Sequence, residues 1–222
     1  RYRIIIDGVR EIRRAFEAGV VLREVFFCPA MITPDGEQLL KEFATPQTEL
    51  FEVTSRVFEK LNFGERQDGI VAVAEVPQGT LAAIEARAAK PLIAILEGIE
   101  KPGNVGAIIR TADGAGLSGV IAADLRTDLY NPNAIRASLG TIFSMTVVSL
   151  GAQEARKWAA EHGLQLVAAK VEGDVPYHQV DFTRPTAIIL GNEAGGLTAI
   201  WDQPDVVGVR IPMLGKADSL NV

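Results

Sequence analysis

The sequence predicts an α/β protein built as two units, and three observations carry that prediction. Short apolar runs of strand length recur along all 222 residues. Most are separated by stretches whose apolar residues return every three or four positions, the period of a helix. The alternation then restarts at Pro91, after a segment bracketed by Pro77 and Pro91. Proline fixes its own φ and disfavours helix in the residue before it, so such a bracket reads as a boundary. Beyond Pro91, strands alternating with helices imply a mainly parallel sheet with helices on both faces.

The first unit, residues 1–76, opens on the strand RIIIDG and the helix VREIRRAFEAG, which Gly19 ends. LREVFFCP follows as a strand and TPDGEQLLKEFA as a helix capped by Thr33 or Asp35. TELFEV is a strand, TSRVFEKLNF a short helix and GIVAVAEV a strand, which completes a small α/β unit. Residues 77–91, PQGTLAAIEARAAKP, are helical in composition and read as a linker. The second unit, residues 92–222, runs strand LIAILEGI, helix 104–115, strand GVIAAD, helix NPNAIRASLGTIF, strand MTVVSL and helix GAQEARKWAAEHG. The strands QLVAAKV, TAIILGN and VVGVRIPM close it.

Composition sets the outer bounds. With 48% hydrophobic residues the chain can bury a sizeable core. Its longest apolar runs, such as PLIAIL and TAIIL, fall far short of the ~20 residues a membrane helix needs, so no membrane partner is expected. No leader pattern is present, and an opening at Arg1 instead of Met leads one to expect further N-terminal sequence. The single Cys28 excludes an internal disulfide and fits a reducing, cytoplasmic setting. One cysteine and two separated histidines, His162 and His178, cannot assemble a metal site from nitrogen and sulfur donors. His162 reads as a favourable charge near a helix end, and Trp158 and Trp201 as packing or interface residues.

A net charge of −6 argues mildly against a nucleic-acid partner, since phosphate contacts need clustered Lys and Arg. Yet the first 24 residues carry Arg1, Arg3, Arg10, Arg13, Arg14 and Arg23 against Asp7, Glu11, Glu17 and Glu24. That end is locally positive, and two readings stand: a solvated helix face or a nucleic-acid contact.

Ligands of parallel sheets sit at the carboxyl ends of the strands. Three strand ends carry unusual loops here: EGIEKPGN, LGNEAGGL and IPMLGKADSLN. A Walker loop fails, because Asn104 and Val105 stand where the motif needs Lys and Ser or Thr. No G-x-G-x-x-G opens a helix and no G-x-S-x-G occurs, which removes the dinucleotide and serine-hydrolase readings. On residue type alone, Asn104 is a helix N-cap or a site residue, and Arg110 is a structural ion pair with Glu193 or Asp113 or a functional cation.

Taken together, KPGNVGAIIRTADGAG, LGNEAGGL and IPMLGKADSLNV resemble the three motifs of the SpoU (TrmH-like) RNA ribose 2'-O-methyltransferases of the SPOUT superfamily. The first unit resembles the L30e-like substrate-binding module that often precedes that catalytic domain, which favours RNA contact by Arg10, Arg13 and Arg14. The resemblance implies methyl transfer from S-adenosylmethionine to a ribose 2'-hydroxyl, in 23S ribosomal RNA ahead of transfer RNA. A non-catalytic RNA-binding protein on the same fold is the alternative.

The resemblance assigns catalytic positions to Arg110, Asn104, Glu193, Ser219 and Asn221. A guanidinium has no free lone pair to accept a proton, so Arg110 is expected to hold phosphate and stabilise the developing alkoxide. Asn104, Ser219 and Asn221 would orient the ribose, and Glu193 would fix Arg110 or backbone amides. Leu190, Gly191, Ile211, Met213 and Leu220 are implied as cofactor contacts, and no metal is needed. Arg136, in the segment Asn131–Ser138, is expected either to reach RNA or to form a surface salt bridge. The resemblance further implies a C-terminal trefoil knot, a homodimer, and a helix following the SLNV segment that this sequence, ending at Val222, does not contain.

Overall fold

The computed structural model describes residues 3–43, 46–63 and 68–216. Its contacts divide the chain into two units, Arg1–Pro77 with Tyr130–Ser144, and Gln78–Leu129 with Met145–Val222.

The first unit holds a four-stranded sheet in the order β1-β4-β2-β3, formed by β1 (Arg3–Asp7), β2 (Leu22–Phe27), β3 (Glu49–Glu52) and β4 (Ile70–Glu75). β4 runs antiparallel to β1 and β2, while β2 and β3 are parallel. Ile4, Ile6, Val25, Ala72 and Ala74 are buried, as alternation on one pleated face requires. The helices are α1 (Val9–Glu17), α2 (Pro34–Glu42) and α3 (Ser55–Leu61). Thr33 is the N-cap of α2, its Oγ1 accepting from the Gly36 N–H at 3.3 Å.

Residues 130–144 pack with this first unit. The single helix expected there is two, α6 (Pro132–Ala137) and α7 (Thr141–Ser144). They are separated at Leu139 and Gly140, which have φ of 54° and 83°. Nothing in the residue pattern signals a leucine in the left-handed region, which non-glycine residues seldom enter. α6 packs on β1 and α7 on α1. Arg136 donates to Asp7 Oδ2 at 3.2 Å and to the Phe63 carbonyl, and lies over the Phe63 ring. Arg14 Nη1 donates to the Leu139 carbonyl at 2.9 Å.

The second unit is a seven-stranded sheet in the order β7-β6-β5-β10-β8-β11-β9, with every pairing parallel. Its strands are β5 (Leu92–Glu97), β6 (Gly119–Ala123), β7 (Val147–Leu150), β8 (Gln165–Ala169), β9 (Val175–Pro176), β10 (Thr186–Leu190) and β11 (Val206–Arg210). β9, two residues long, was too short to be read from the sequence. β5 and β6 are apolar throughout save for Glu97 and are buried on both faces, which is why they show no alternation.

Ile93, Ile95, Ile121 and Ile189 share one core cluster with Trp158 and Ala159 of α8 (Ala152–Glu161) and with the fully buried Trp201. Each such aliphatic side chain contributes roughly 1.5–3 kcal/mol when buried. Residues 77–91, expected to be a linker, carry α4 (Leu81–Glu85), whose Ile84 is fully buried in that same cluster. α5 (Pro102–Gly114) packs on β5 and β6 through Val105, Ile108, Ile109 and Ala112. Among the described residues no helix is long and apolar enough to cross a membrane.

Asp7 is 6% exposed, and burial raises its carboxyl above the usual aspartate range despite the Phe63 N–H and Arg136 guanidinium that favour the charged form. A raised folded pKa favours folding below the ordinary value of about 3.9, and that contribution is lost as pH rises through the folded value. Asp7→Asn is therefore predicted to unfold at a higher denaturant midpoint than the parent at pH 7. The difference should close as the medium is acidified, and an equal or lower midpoint at pH 7 would contradict this.

Candidate active site

The carboxyl ends of β8, β10 and β11, three adjacent parallel strands, open into a cavity of about 1130 Å³. Its wall is built from three chain segments, 169–171, 190–197 and 209–213. Four of the residues expected to contact a cofactor, Leu190, Gly191, Ile211 and Met213, line it together with Glu193. The fifth, Leu220, lies outside the described residues, as do Ser219 and Asn221.

The middle segment is a closed loop. Asn192 and Gly196 exchange backbone hydrogen bonds at 3.0 and 2.9 Å, and Asn192 Oδ1 accepts from the N–H groups of Ala194 and Gly195 at 2.8 and 3.1 Å. Gly191 is required by close approach, since a Cβ there would lie 2.5 Å from the carbonyl carbon and oxygen of Gly196. The glycines thus let the loop close on itself at the cavity wall.

Asn104 reaches this site through Glu193. Its Nδ2 donates to Glu193 Oε1, while the Lys101 ammonium pairs with Oε2 of the same carboxylate. Asn104 is not the N-cap of α5. That place falls to Lys101, because Pro102, with no N–H to leave unpaired, starts the helix two residues before Asn104. Glu193 binds Lys101 and Asn104 and forms no ion pair with Arg110. The Lys101 ammonium, then the Asn104 amide, hold its carboxyl below the usual glutamate range against a smaller desolvation effect.

Arg110 lies on the outward side of α5, about 9 Å along the axis from Asn104. The helix buries Val105, Ile108, Ile109 and Ala112 and exposes Ala107, Arg110 and Thr111, so the charge among apolar neighbours follows from helical period. The Arg110 guanidinium forms no hydrogen bond or ion pair with the described residues, an available cation on the helix that also carries Asn104.

The first unit's arginines are differently placed. Arg10 pairs with the buried Glu11 at 2.7 Å and Arg13 with Glu42 at 3.4 Å, while Arg14 and Arg136 fasten α7 and α6 as described. Among the described residues no group of three or more histidine, cysteine or acidic side chains is disposed to hold a metal. Lys101 and Asn192 lie in the singled-out loops but were given no role there, and Thr198 lies just outside them, for their partners are roughly a hundred residues away and pair only through the sheet order.

Residues 91–222 match the model of the SpoU rRNA Methylase family, and residues 1–72 match that of the MRM3-like substrate binding domain. A 23S rRNA (uridine(2479)-2'-O)-methyltransferase of Streptomyces viridochromogenes is 34% identical, across 98% of this chain and 77% of its own. A 23S rRNA (adenosine(1067)-2'-O)-methyltransferase of Streptomyces azureus is 30% identical, across 98% and 81%. Among solved structures, the SpoU methyltransferase AviRb from Streptomyces viridochromogenes, in complex with the cofactor AdoMet, is similar with a TM-score of 0.88 at 32% identity. That similarity covers 99% of this chain and 84% of that one.

A depressed folded pKa means that the Glu193 contacts contribute above the ordinary glutamate value, about 4.3, and are lost as pH falls through the depressed one. Lys101→Met removes the largest cause. It is predicted to move the Glu193 carboxyl-carbon NMR midpoint upward toward the ordinary range, and an unmoved midpoint would contradict the pairing.

Proposed function

The chain belongs to the SpoU rRNA Methylase family, and from that premise we propose that it is an S-adenosylmethionine-dependent methyltransferase acting on a ribose 2'-hydroxyl of ribosomal RNA. The observation that carries this reading is the cavity at the ends of β8, β10 and β11, lined by the closed glycine loop and the Glu193 carboxylate. When bound, S-adenosylmethionine supplies an electrophilic methyl group on a sulfonium sulfur. The residues present fit such a group. The glycine loop lines the cavity with little side-chain bulk, Leu190, Ile211 and Met213 give it apolar walls, and a carboxylate kept ionised complements a cation. Leu220 belongs to the same set by family resemblance.

The acceptor hydroxyl is a weak nucleophile that must be aligned and relieved of its proton. Arg110 holds a phosphate of the RNA and stabilises charge developing on the 2'-oxygen. The proton leaves to phosphate or water. Asn104, kept in place by Glu193, orients the ribose, with Ser219 and Asn221 completing the arrangement.

Residues 1–76 act as the RNA-binding domain and residues 92–222 as the catalytic domain. RNA contact is assigned to Arg10 and Arg13, whose ion pairs with Glu11 and Glu42 stay within the first unit's own helices, ahead of Arg14 and Arg136, which also hold the segment Tyr130–Ser144. The names of both Streptomyces relatives support 23S rRNA as the substrate. The reading extends to a trefoil knot and a homodimer, supported by family membership, and to a cytoplasmic setting, supported by the lone unpaired Cys28.

Arg110→Ala is predicted to lower transfer of labelled methyl from S-adenosylmethionine to rRNA by about 10²–10³-fold, the scale of losing one preorganised electrostatic donor. Fold and cofactor affinity should be retained, because the guanidinium supports neither. A variant with parental transfer rates, or one that unfolds, would overturn the assignment.

A further inference from the structure

Glu97 closes β5 and is 3% exposed. A leucine there would continue the apolar run Leu92–Leu96 and bury no charge. No lysine or arginine among the described residues pairs with this carboxylate, so its desolvation is offset by hydrogen bonds. Both oxygens are taken by one residue. Oε2 accepts from the Thr198 N–H at 2.8 Å and Oε1 from the Thr198 hydroxyl at 2.7 Å. Thr198 is where the loop lining the cavity rejoins the chain.

The loop's other foot is held by the next residue of the same turn. Asn192 Nδ2 donates to the Gly98 carbonyl at 2.9 Å. Residues 97 and 98 therefore grip both feet of a loop that is already closed by the Asn192–Gly196 pairing. Four residues further on, Pro102 begins α5, so the cavity loop and the helix of Asn104 and Arg110 share one base.

We infer that Glu97 is a positioning residue: through Thr198 it fixes the loop 191–198 against the β5–α5 turn and so presets the cofactor seat. The cofactor part rests on the methyltransferase reading, whereas the loop part does not.

Three variants of the full chain test it. Thr198 is exposed, so Thr198→Val should fold while losing one of the two bonds. Glu97→Leu loses both. Glu97→Gln can keep both, its amide oxygen accepting from the Thr198 N–H and its NH₂ donating to the hydroxyl oxygen. Hydrogen exchange of the amides of residues 192–197 is expected to quicken about tenfold in Thr198→Val and Glu97→Leu, with β6 and β7 unchanged, and to stay within about twofold of the parent in Glu97→Gln. Calorimetric affinity for S-adenosylmethionine should follow the same pattern, falling about tenfold in Glu97→Leu.

Parental exchange and affinity in Thr198→Val and Glu97→Leu would overturn the inference, and if Glu97→Leu does not fold, Thr198→Val decides. Parent protein that takes up no S-adenosylmethionine would sink the methyltransferase reading, while quickened exchange in the variants would still support the positioning role.

Discussion

A parallel sheet covered on both faces leaves no room for chemistry on those faces, and this constraint arranges the second unit. β5 and β6 bury nearly every side chain they carry. Polar groups can be placed only where strands end, and at the carboxyl ends the chain must turn through loops before its next helix. The residues that can bind or react gather there: Glu97 and Gly98 at the end of β5, the glycine loop after β10, and Ile211 and Met213 after β11.

Loops are the most mobile parts of a fold, and a site built from them needs anchors. Here the anchors converge on a single turn. The β5–α5 connection receives Thr198, Asn192 and Glu193 from one loop, through a buried carboxylate, a backbone carbonyl and a pair of side chains on the first turn of α5. Glu193 is the outermost of these contacts. Held ionised by Lys101 and Asn104, it lies on the cavity wall. Arg110 stands on the same helix as Asn104, a cation that no described residue engages.

The alternation of strands and helices was legible because burial imposes its own periods on the sequence. Uninterrupted apolar runs marked β5, β6 and β10 as strands, and the first two unusual loops stand at strand ends, while the third follows β11 as far as residue 216, the last one described. Local conformations set by tertiary context were not legible. Leu139 adopts a left-handed backbone that divides an apparent helix, and Pro102 starts α5 earlier than Asn104, the better capping residue, would imply. Long-range pairs were hidden for a related reason. Thr198 and Glu97 are 101 residues apart, and Lys101 and Glu193 are 92 apart, so each pair exists only once β10 has settled beside β5. Arg110 itself was visible as a charge in an apolar stretch, yet its chemical meaning came only from resemblance.

The account stands most directly on the identity of the acceptor atom. Ribosomal RNA incubated with the protein and S-adenosylmethionine can be cleaved in alkali, a reaction that proceeds through the ribose 2'-hydroxyl and stops where that oxygen carries a methyl group. The account predicts one protein-dependent gap in the cleavage ladder. An unbroken ladder, whether methyl groups are incorporated elsewhere on the RNA or not at all, would contradict it.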